Sequence, residues 1–228
     1  MAGVSVIIPV YNHSRALLAT LRALFAQSYK DFEVIVVDDG STDNLAQVLA
    51  GWIGKIALIR KEHAGAPAAR NAGAAAANGD FLLFLDADVT LRVNALEKFV
   101  HALLANPHAA FAYSSFEFGF KSFTGRVWDL AELKNKNYIH TTSLIRRDKF
   151  PGFDESLERF QDWDLWLTIA GRGGHGIFIP EVLFSVKPRR LGISKWLPKF
   201  VYRLPWKSVA VRKYKEAAVI VLKKHNLC

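Results

Sequence analysis

The run Phe81-Leu82-Leu83-Phe84-Leu85 constrains this chain more than any other stretch. Five consecutive apolar residues predict a strand buried on both faces, as in a parallel sheet with helices on each side. The run then ends in Asp86-Ala87-Asp88-Val89, two carboxylates separated by one small residue. Parallel sheets open their ligand crevice at the carboxyl ends of their strands. Carboxylates delivered there suit oxygen ligation of a hard divalent cation that also holds a phosphorylated ligand. The alternative is a pair of solvated turn aspartates, with Asp88 capping the following helix.

The length of 228 residues suits one α/β domain with an appendage, or a tight pair of subdomains. With 51% apolar residues the chain affords a sizeable core, which argues against disorder. Cys228 is the one cysteine, so no disulfide can form within the chain, and a reducing, cytoplasmic setting is expected. No run approaches the roughly 18 apolar residues of a membrane span, and Met1 leads into a strand without the basic region of a signal peptide. The net charge of +9 is unevenly placed. Residues 187–228 hold 12 of the 30 Lys and Arg but one of the 21 acids, a local charge of +11 that leaves −2 for the rest. The basic character belongs to the tail, so the body is not expected to bind nucleic acid.

Taken in order, Val4–Val10 reads as a strand, with Pro9 marking where ladder pairing stops. Tyr11-Asn12-His13 forms the loop beyond it, and Ser14 can cap a helix to about Gln27. Residues 32–37 are a second strand running into Asp38-Asp39-Gly40-Ser41, before a helix over Leu45–Trp52. Ile56–Arg60 is a third strand, and Gly65-Ala66-Pro67 opens an alanine-rich helix carrying Arg70 and Asn71. The central strand follows, then a helix over Val93–Leu104 and a strand at Ala109–Phe116. This alternation predicts a Rossmann-like, doubly wound, mostly parallel sheet. Residues 117–137 read as a mobile connection or short hairpin, Tyr138–Arg146 as a strand, and Gln161–Gly171 as a helix. Short strands flank Pro180.

Loops after strands one, two and four all end in polar or acidic residues on one side of the sheet. Tyr11 offers a flat face for a base, Asp39 an acceptor for a base N–H, and the Asp86/Asp88 pair a cation site. Arg70 and Asn71 can reach the same mouth.

These residues occur in an ordered series: Pro9-Val10-Tyr11-Asn12, Asp38-Asp39-Gly40-Ser41, Ala69-Arg70-Asn71-Ala72-Gly73, Leu85-Asp86-Ala87-Asp88 and Asp162-Trp163-Asp164-Leu165-Trp166. The series resembles that of the family 2 glycosyltransferases over about residues 3–187. The resemblance implies the GT-A fold and inverting, metal-dependent sugar transfer, with Mn²⁺ or Mg²⁺ as cofactor. By position it implies Tyr11 against the nucleotide base, with Pro9 shaping the loop. Asp39 would accept from the base while Asp38 and Ser41 hold the turn. Arg70 would lie near the nucleotide, Asp86 by ribose and metal, Asp88 on the metal, and Asp162 would be the catalytic base. The alternative for Arg70 is a pairing with a surface acid.

Inverting transfer needs one carboxylate to take the proton of the attacking hydroxyl. Residues two apart on a helix point about 200° from each other, so Asp162 and Asp164 are unlikely partners in one role, and Asp164 is expected to be structural. Two departures from the family stand out. Gln161 replaces the usual Glu, which removes a like charge and should ease ionisation of Asp162. The loop after residue 186 lacks a His that relatives often carry, and Arg189 or Arg190 is expected to supply positive charge to the diphosphate instead.

In the tail, Ile193, Trp196, Leu197, Phe200, Val201 and Leu204 follow helical spacing opposite Lys195, Lys199 and Arg203. That pattern fits a helix lying on an anionic membrane surface, or a tail packed on the body. The expected organisation is a GT-A domain over 1–188, divided into a nucleotide-binding half (1–90) and an acceptor half (91–188), with a basic helical appendage at 189–228. The expected enzyme is a hexosyltransferase moving sugar from a nucleotide-sugar, UDP-linked by family habit, to a glycan or lipid-linked acceptor of cell-envelope polysaccharide or glycoconjugate. It would be cytoplasmic or peripheral on the inner membrane face. The rivals are a degenerate nucleotide-sugar-binding module and a nucleotidyltransferase. The latter would show a glycine-rich basic loop after strand one, which Val10-Tyr11-Asn12-His13 is not.

Overall fold

The computed structural model describes residues 3–188 and 209–227. Its elements are β1 (Val4–Val10), α1 (Ser14–Phe25), β2 (Phe32–Asp38), α2 (Leu45–Leu49), β3 (Ala57–Arg60), α3 (Ala66–Ala75), β4 (Phe81–Phe84) and β5 (Val89–Leu91). These are followed by α4 (Ala95–Ala105), β6 (Phe111–Phe118), β7 (Lys121–Phe123), α5 (Leu130–Asn135), β8 (Leu144–Arg146), α6 (Gln161–Gly171), β9 (Gly176–Val186) and α7 (Val209–Lys224). Among the described residues one sheet of nine strands runs in the order β3-β2-β1-β4-β8-β6-β9-β5, with β7 paired to β6.

Strand alternation divides the core between the two faces of this sheet. Leu83 and Leu85 join Val6, Ile8 and Val10 on one face, beneath Leu17, Leu21 and Leu24 of α1 and Leu96 and Phe99 of α4. Leu82 and Phe84 join Ile7 and Ile35 on the other, against Ala69 of α3 and Trp163 and Trp166 of α6. The doubly wound expectation therefore holds, with helices on both faces.

The mostly parallel expectation holds for half the sheet. β3, β2, β1 and β4 are parallel, as are β6 and β9. The pairs β4–β8, β6–β8, β5–β9 and β6–β7 are antiparallel. Val89 does not continue the central strand: the Val89 N–H bonds the Asp86 carbonyl, and the chain turns into a separate strand along β9. Tyr138–Arg146 is a strand only at its end. In the part before it, Thr142 N–H donates to His140 Nδ1, Ser143 N–H donates to the Thr141 carbonyl, and the Ile139 carbonyl accepts from Trp166 Nε1. Backbone groups committed in this way cannot enter a ladder. The stretch from 117 to 137 supplies the expected hairpin, β6–β7, and also α5, capped by Asp129 accepting from Glu132 N–H. Pro180 sits at a bulge inside a single β9, where the pairing steps from Ile179 to Val182 and no donor is needed.

Gly73 sets how closely α3 approaches the sheet. A Cβ there would lie 2.4 Å from Ile7 Cγ2 and 3.1 Å from Val37 Cγ2. The methyl-free surface lets α3 lie flat on β1 and β2, which brings Arg70 within reach of the strand ends.

Residues 209–227 pack on the body. Val221 is fully buried with Trp163 and Trp166, and Ala218, Leu222 and Leu227 pack alongside. Lys224 bonds Asp154 at 2.6 Å and Asp164 at 2.9 Å, and His225 Nε2 meets Asp164 Oδ1 at 2.8 Å. The amphipathic segment 193–204 lies outside the described residues. Among the described residues no helix is long and apolar enough to cross a membrane.

Two predictions follow from this packing. Gly73→Val overpacks the α3–sheet interface and lowers stability by about 1–3 kcal/mol in urea denaturation. The Lys224 ammonium, and then the Ser156 hydroxyl, hold the Asp154 carboxyl down from 3.8 to about 2. A depressed carboxyl stabilises the fold fully above its unfolded value and loses that contribution as pH falls through the folded one. Lys224→Met should therefore be less stable than wild type above pH 3.8, with the gap closing toward about pH 2, as read from thermal melts across that window.

Candidate active site

The loops after β1 and β2 are laced to one another. Asn12 adopts φ 54°, a left-handed conformation that asparagine tolerates. Its N–H donates to Ser41 Oγ, and its side-chain oxygen accepts from Thr42 N–H at 2.8 Å. Asp38 Oδ1 accepts from Ser41 N–H at 2.8 Å, so Asp38 shapes the turn. Asp43 Oδ2 accepts from Ser14 N–H at 2.9 Å, across the loops, rather than capping its own helix.

Asp39, 2% exposed, lies under this surface. Its Oδ1 accepts from Lys61 Nζ (2.9 Å) and Ala64 N–H (3.0 Å), and its Oδ2 from Gly65 N–H (2.8 Å). His63 Nδ1 lies 2.8 Å from the same Oδ2. Burial alone would raise the Asp39 pKa, but Lys61 and the two N–H donors outweigh it and hold the carboxyl below its ordinary value. The carboxylate thus ties the residues after β3 and the start of α3 to the end of β2. Tyr11, 42% exposed, stacks on the His63 ring with centroids 3.9 Å apart. Pro9 pairs in register with Val37 just below.

Five residues on from Gly65, Arg70 lies in α3, which packs on β1 and β2 with Gly73 against Ile7 and Val37. Arg70 is buried, and its two terminal nitrogens point to different elements. Nη2 bonds Asp86 Oδ1 at 2.7 Å, and Nη1 bonds Gln161 Oε1 at 2.9 Å. The guanidinium lies 5.3 Å from the Phe153 ring centroid. Asn71 fixes that loop by accepting from Phe153 N–H and donating to the Phe153 carbonyl. The acid paired with Arg70 is thus Asp86 at the site mouth.

The Asp86–Asp88 turn is held by Thr20 Oγ1 donating to the Ala87 carbonyl and Lys187 N–H donating to the Asp88 carbonyl. The end of β9 therefore abuts this turn. Arg189 and Arg190, expected just beyond, lie outside the described residues. Among the described residues no three His, Cys, Asp or Glu gather as a cation cage. Two carboxylates on one turn fit instead a small hard cation that takes its remaining oxygens from phosphate and water.

Asp162 stands at the start of α6, following Phe160 at φ 58°. Its Oδ2 accepts from Asn137 Nδ2 at 2.8 Å and its Oδ1 from Trp163 N–H at 2.9 Å. Burial raises its pKa, opposed by Trp163 N–H, Arg70 and Asn137. Even with a neutral neighbour at Gln161, burial keeps the Asp162 carboxyl above its ordinary value. Asp164 faces away, buried against Lys224 and His225.

Four contributors were not expected from sequence. His63 and Asn137 carry the contacts above, and Phe153 supports Arg70. His140 packs beside the stacked rings of Phe116 and Phe184, at 4.8 and 5.1 Å. Burial lowers its pKa to about 4, against the pull of Asp86, so it is neutral at physiological pH. Its Nδ1 accepts from Thr142 N–H, which leaves the ring proton on Nε2. A His in the stretch after β3 was the one readable signal; nothing in the local pattern marks His140 or Asn137.

A half-parallel sheet clad by helices, with acidic turns at its strand ends, is the GT-A architecture. The chain belongs to the family described as Glycosyl transferase family 2, whose sequence pattern matches residues 5–156. It is 31% identical over 175 residues, 73% of this chain and 69% of the relative, to the Escherichia coli UDP-Glc:alpha-D-GlcNAc-diphosphoundecaprenol beta-1,3-glucosyltransferase WfgD. S. aureus TarS 1–349 in complex with UDP-GlcNAc superposes with a TM-score of 0.72 at 19% identity, covering 98% of this chain and 71% of that one. The mannosyltransferase PcManGT of Pyrobaculum calidifontis, in complex with GDP-Man and Mn²⁺, gives 0.64 at 22% identity over 83% and 58%. The chain spans about a third of the uncharacterised Rickettsia felis glycosyltransferase to which it is 28% identical.

Arg70 generates the prediction here. Arg70→Lys retains charge, but a single ammonium lacks the planar fork that reaches Asp86 and Gln161 together. The variant should lose about 1.5–3 kcal/mol, the value of one charge-assisted bond, in denaturant unfolding.

Proposed function

We propose that this protein transfers a sugar from a nucleoside-diphosphate sugar, UDP-linked, to the hydroxyl of a glycan or lipid-linked acceptor, with inversion at the anomeric carbon. The observation that carries the reading is Arg70, which joins the Asp-x-Asp turn to the start of α6 through Asp86 and Gln161. One cation thereby sets the spacing between the carboxylates that hold the diphosphate end and the carboxylate that serves the acceptor.

The donor lies along the strand ends. Tyr11, backed by His63, offers its open face to the base, and Asp39 holds the floor of that site, with Pro9 and Asp38 shaping the two loops. A base N–H competes with Lys61 for Asp39, so Lys61 shifts toward the Glu62 carbonyl it also bonds. Asp88, with Asp86, would hold Mn²⁺ or Mg²⁺, which supplies charge stabilisation to the departing diphosphate. Arg189 and Arg190 follow the β9 end that abuts this turn and add cationic charge to the same phosphates.

Asp162 takes the proton of the acceptor hydroxyl as its oxygen attacks the anomeric carbon and the bond to the diphosphate breaks. Asn137 and the Trp163 N–H fix its orientation. A carboxyl pKa raised by burial makes it a stronger base than an exposed aspartate, provided the pH leaves it ionised. A lipid-linked acceptor is supported by the Escherichia coli relative, and a peripheral membrane setting by the +11 charge of residues 187–228.

The test is turnover of a panel of nucleotide-sugars with Mn²⁺ and a polyprenyl-diphosphate-linked sugar acceptor. Transfer from a UDP-sugar is expected, and Asp162→Asn should lower kcat by about 10²–10⁴-fold with nucleotide affinity retained. The acid limb of kcat should lie above the ordinary aspartate value of 3.8. A protein that binds no nucleotide and transfers no sugar across the panel overturns the reading.

A further inference from the structure

We infer that Lys224 and His225 are positioning residues for the catalytic helix: they close a clasp that holds Asp162 in place from behind. The inference rests on the reading of Asp162 as the base, and it concerns residues outside the 5–156 stretch that carries the family likeness.

Three residues of the 209–227 segment contact the stretch from Asp154 to Asp164. Lys224 Nζ bonds Asp154 Oδ2 at 2.6 Å and Asp164 Oδ2 at 2.9 Å, so one ammonium joins both ends of that stretch. His225 Nε2 meets the other Asp164 oxygen at 2.8 Å. Tyr214 packs edge-on against Phe160, with centroids 4.8 Å apart. These residues, with Phe153 just before them, deliver the site. Phe153 lies beneath Arg70, the Leu157 carbonyl accepts from Gln161 Nε2, and Phe160, at φ 58°, turns the chain into α6. A left-handed phenylalanine is strained and persists only where its surroundings hold it.

Asp164 is 2% exposed, and a buried carboxylate without partners is strongly unfavourable. Without Lys224 and His225 the first turn of α6 would move to hydrate it. Asp162, two residues earlier on that turn, would move too. Misplacement by about 1 Å costs on the order of 10²-fold in rate, so a small shift suffices. The nucleotide end, built by Tyr11, Asp39 and His63, does not touch the clasp.

The experiment uses the full chain carrying Lys224→Met and His225→Ala together, with Lys224→Met alone as the milder variant should the pair fail to fold. Turnover is expressed per nucleotide-binding site, counted by titration calorimetry with UDP. The expected result is a kcat reduced at least tenfold, a UDP Kd within twofold of wild type, and recovery of most activity in Lys224→Arg. Amide exchange gives a second readout that needs no turnover. The Trp163 N–H bonds Asp162 Oδ1 and the Asp164 N–H bonds the Phe160 carbonyl, so both should exchange faster in the variant. A lower melting temperature with unchanged kcat per site and unchanged exchange at these amides overturns the clasp. If wild type transfers no sugar, the proposed activity fails, and the exchange rates alone then decide whether Lys224 and His225 order this turn.

Discussion

The arrangement depends on where one guanidinium sits. Arg70 is held in α3, rests near the Phe153 ring, and bonds Asp86 with one nitrogen and Gln161 with another. A planar fork serves two acceptors on different elements at once, which an ammonium does less well. Each acceptor belongs to a different part of the molecule: Asp86 ends a strand of the parallel half, and Gln161 opens a helix of the later half. With a neutral partner at 161, the direct ion pair is with Asp86, and the Asp162 carboxyl feels the same guanidinium charge.

Around that link the site is pre-organised by hydrogen bonds between its loops. Asn12 and Ser41 tie the first two loops, and Asp39 is saturated by donors from Lys61, Ala64, Gly65 and His63. Buried carboxylates with this many donors stay ionised and rigid. The same logic recurs behind α6, where Asp164 is neutralised by the C-terminal residues. The loops after β1 to β3 and the start of α6 are thus each held from beneath by a buried carboxylate, and Arg70 lies between them.

Legibility in the sequence followed how local the signal was. β1, β2 and β4 announce themselves as apolar runs, and α1 and α4 as amphipathic periods, because burial on known faces leaves a fixed spacing. The Asp-x-Asp turn was readable for the same reason. Two features defeated local reading. Residues 138–143 have strand-like composition but spend their backbone groups on His140, Thr141 and Trp166. Beyond the turn at Asp86–Asp88, Val89–Leu91 is too short a stretch to announce itself as a strand, yet it pairs with β9. His140 and Asn137 reach the site through tertiary packing alone, and no periodicity marks such residues.

By itself the sequence determined the two-faced apolar alternation, and with it a sheet clad by helices whose strand ends carry Tyr11, Asp39, Asp86 and Asp88. Hydrophobic spacing is a local property, and burial enforces it wherever the chain folds. Tertiary structure alone decided that Arg70 pairs with both Asp86 and Gln161, that Asp39 is filled by its own neighbours, and that residues far along the chain grip Asp164. Those pairings join positions whose separation along the chain carries no signal. They exist only because packing brings a buried charge and its counter-charge within hydrogen-bonding distance, where an unpaired charge would be too costly to keep.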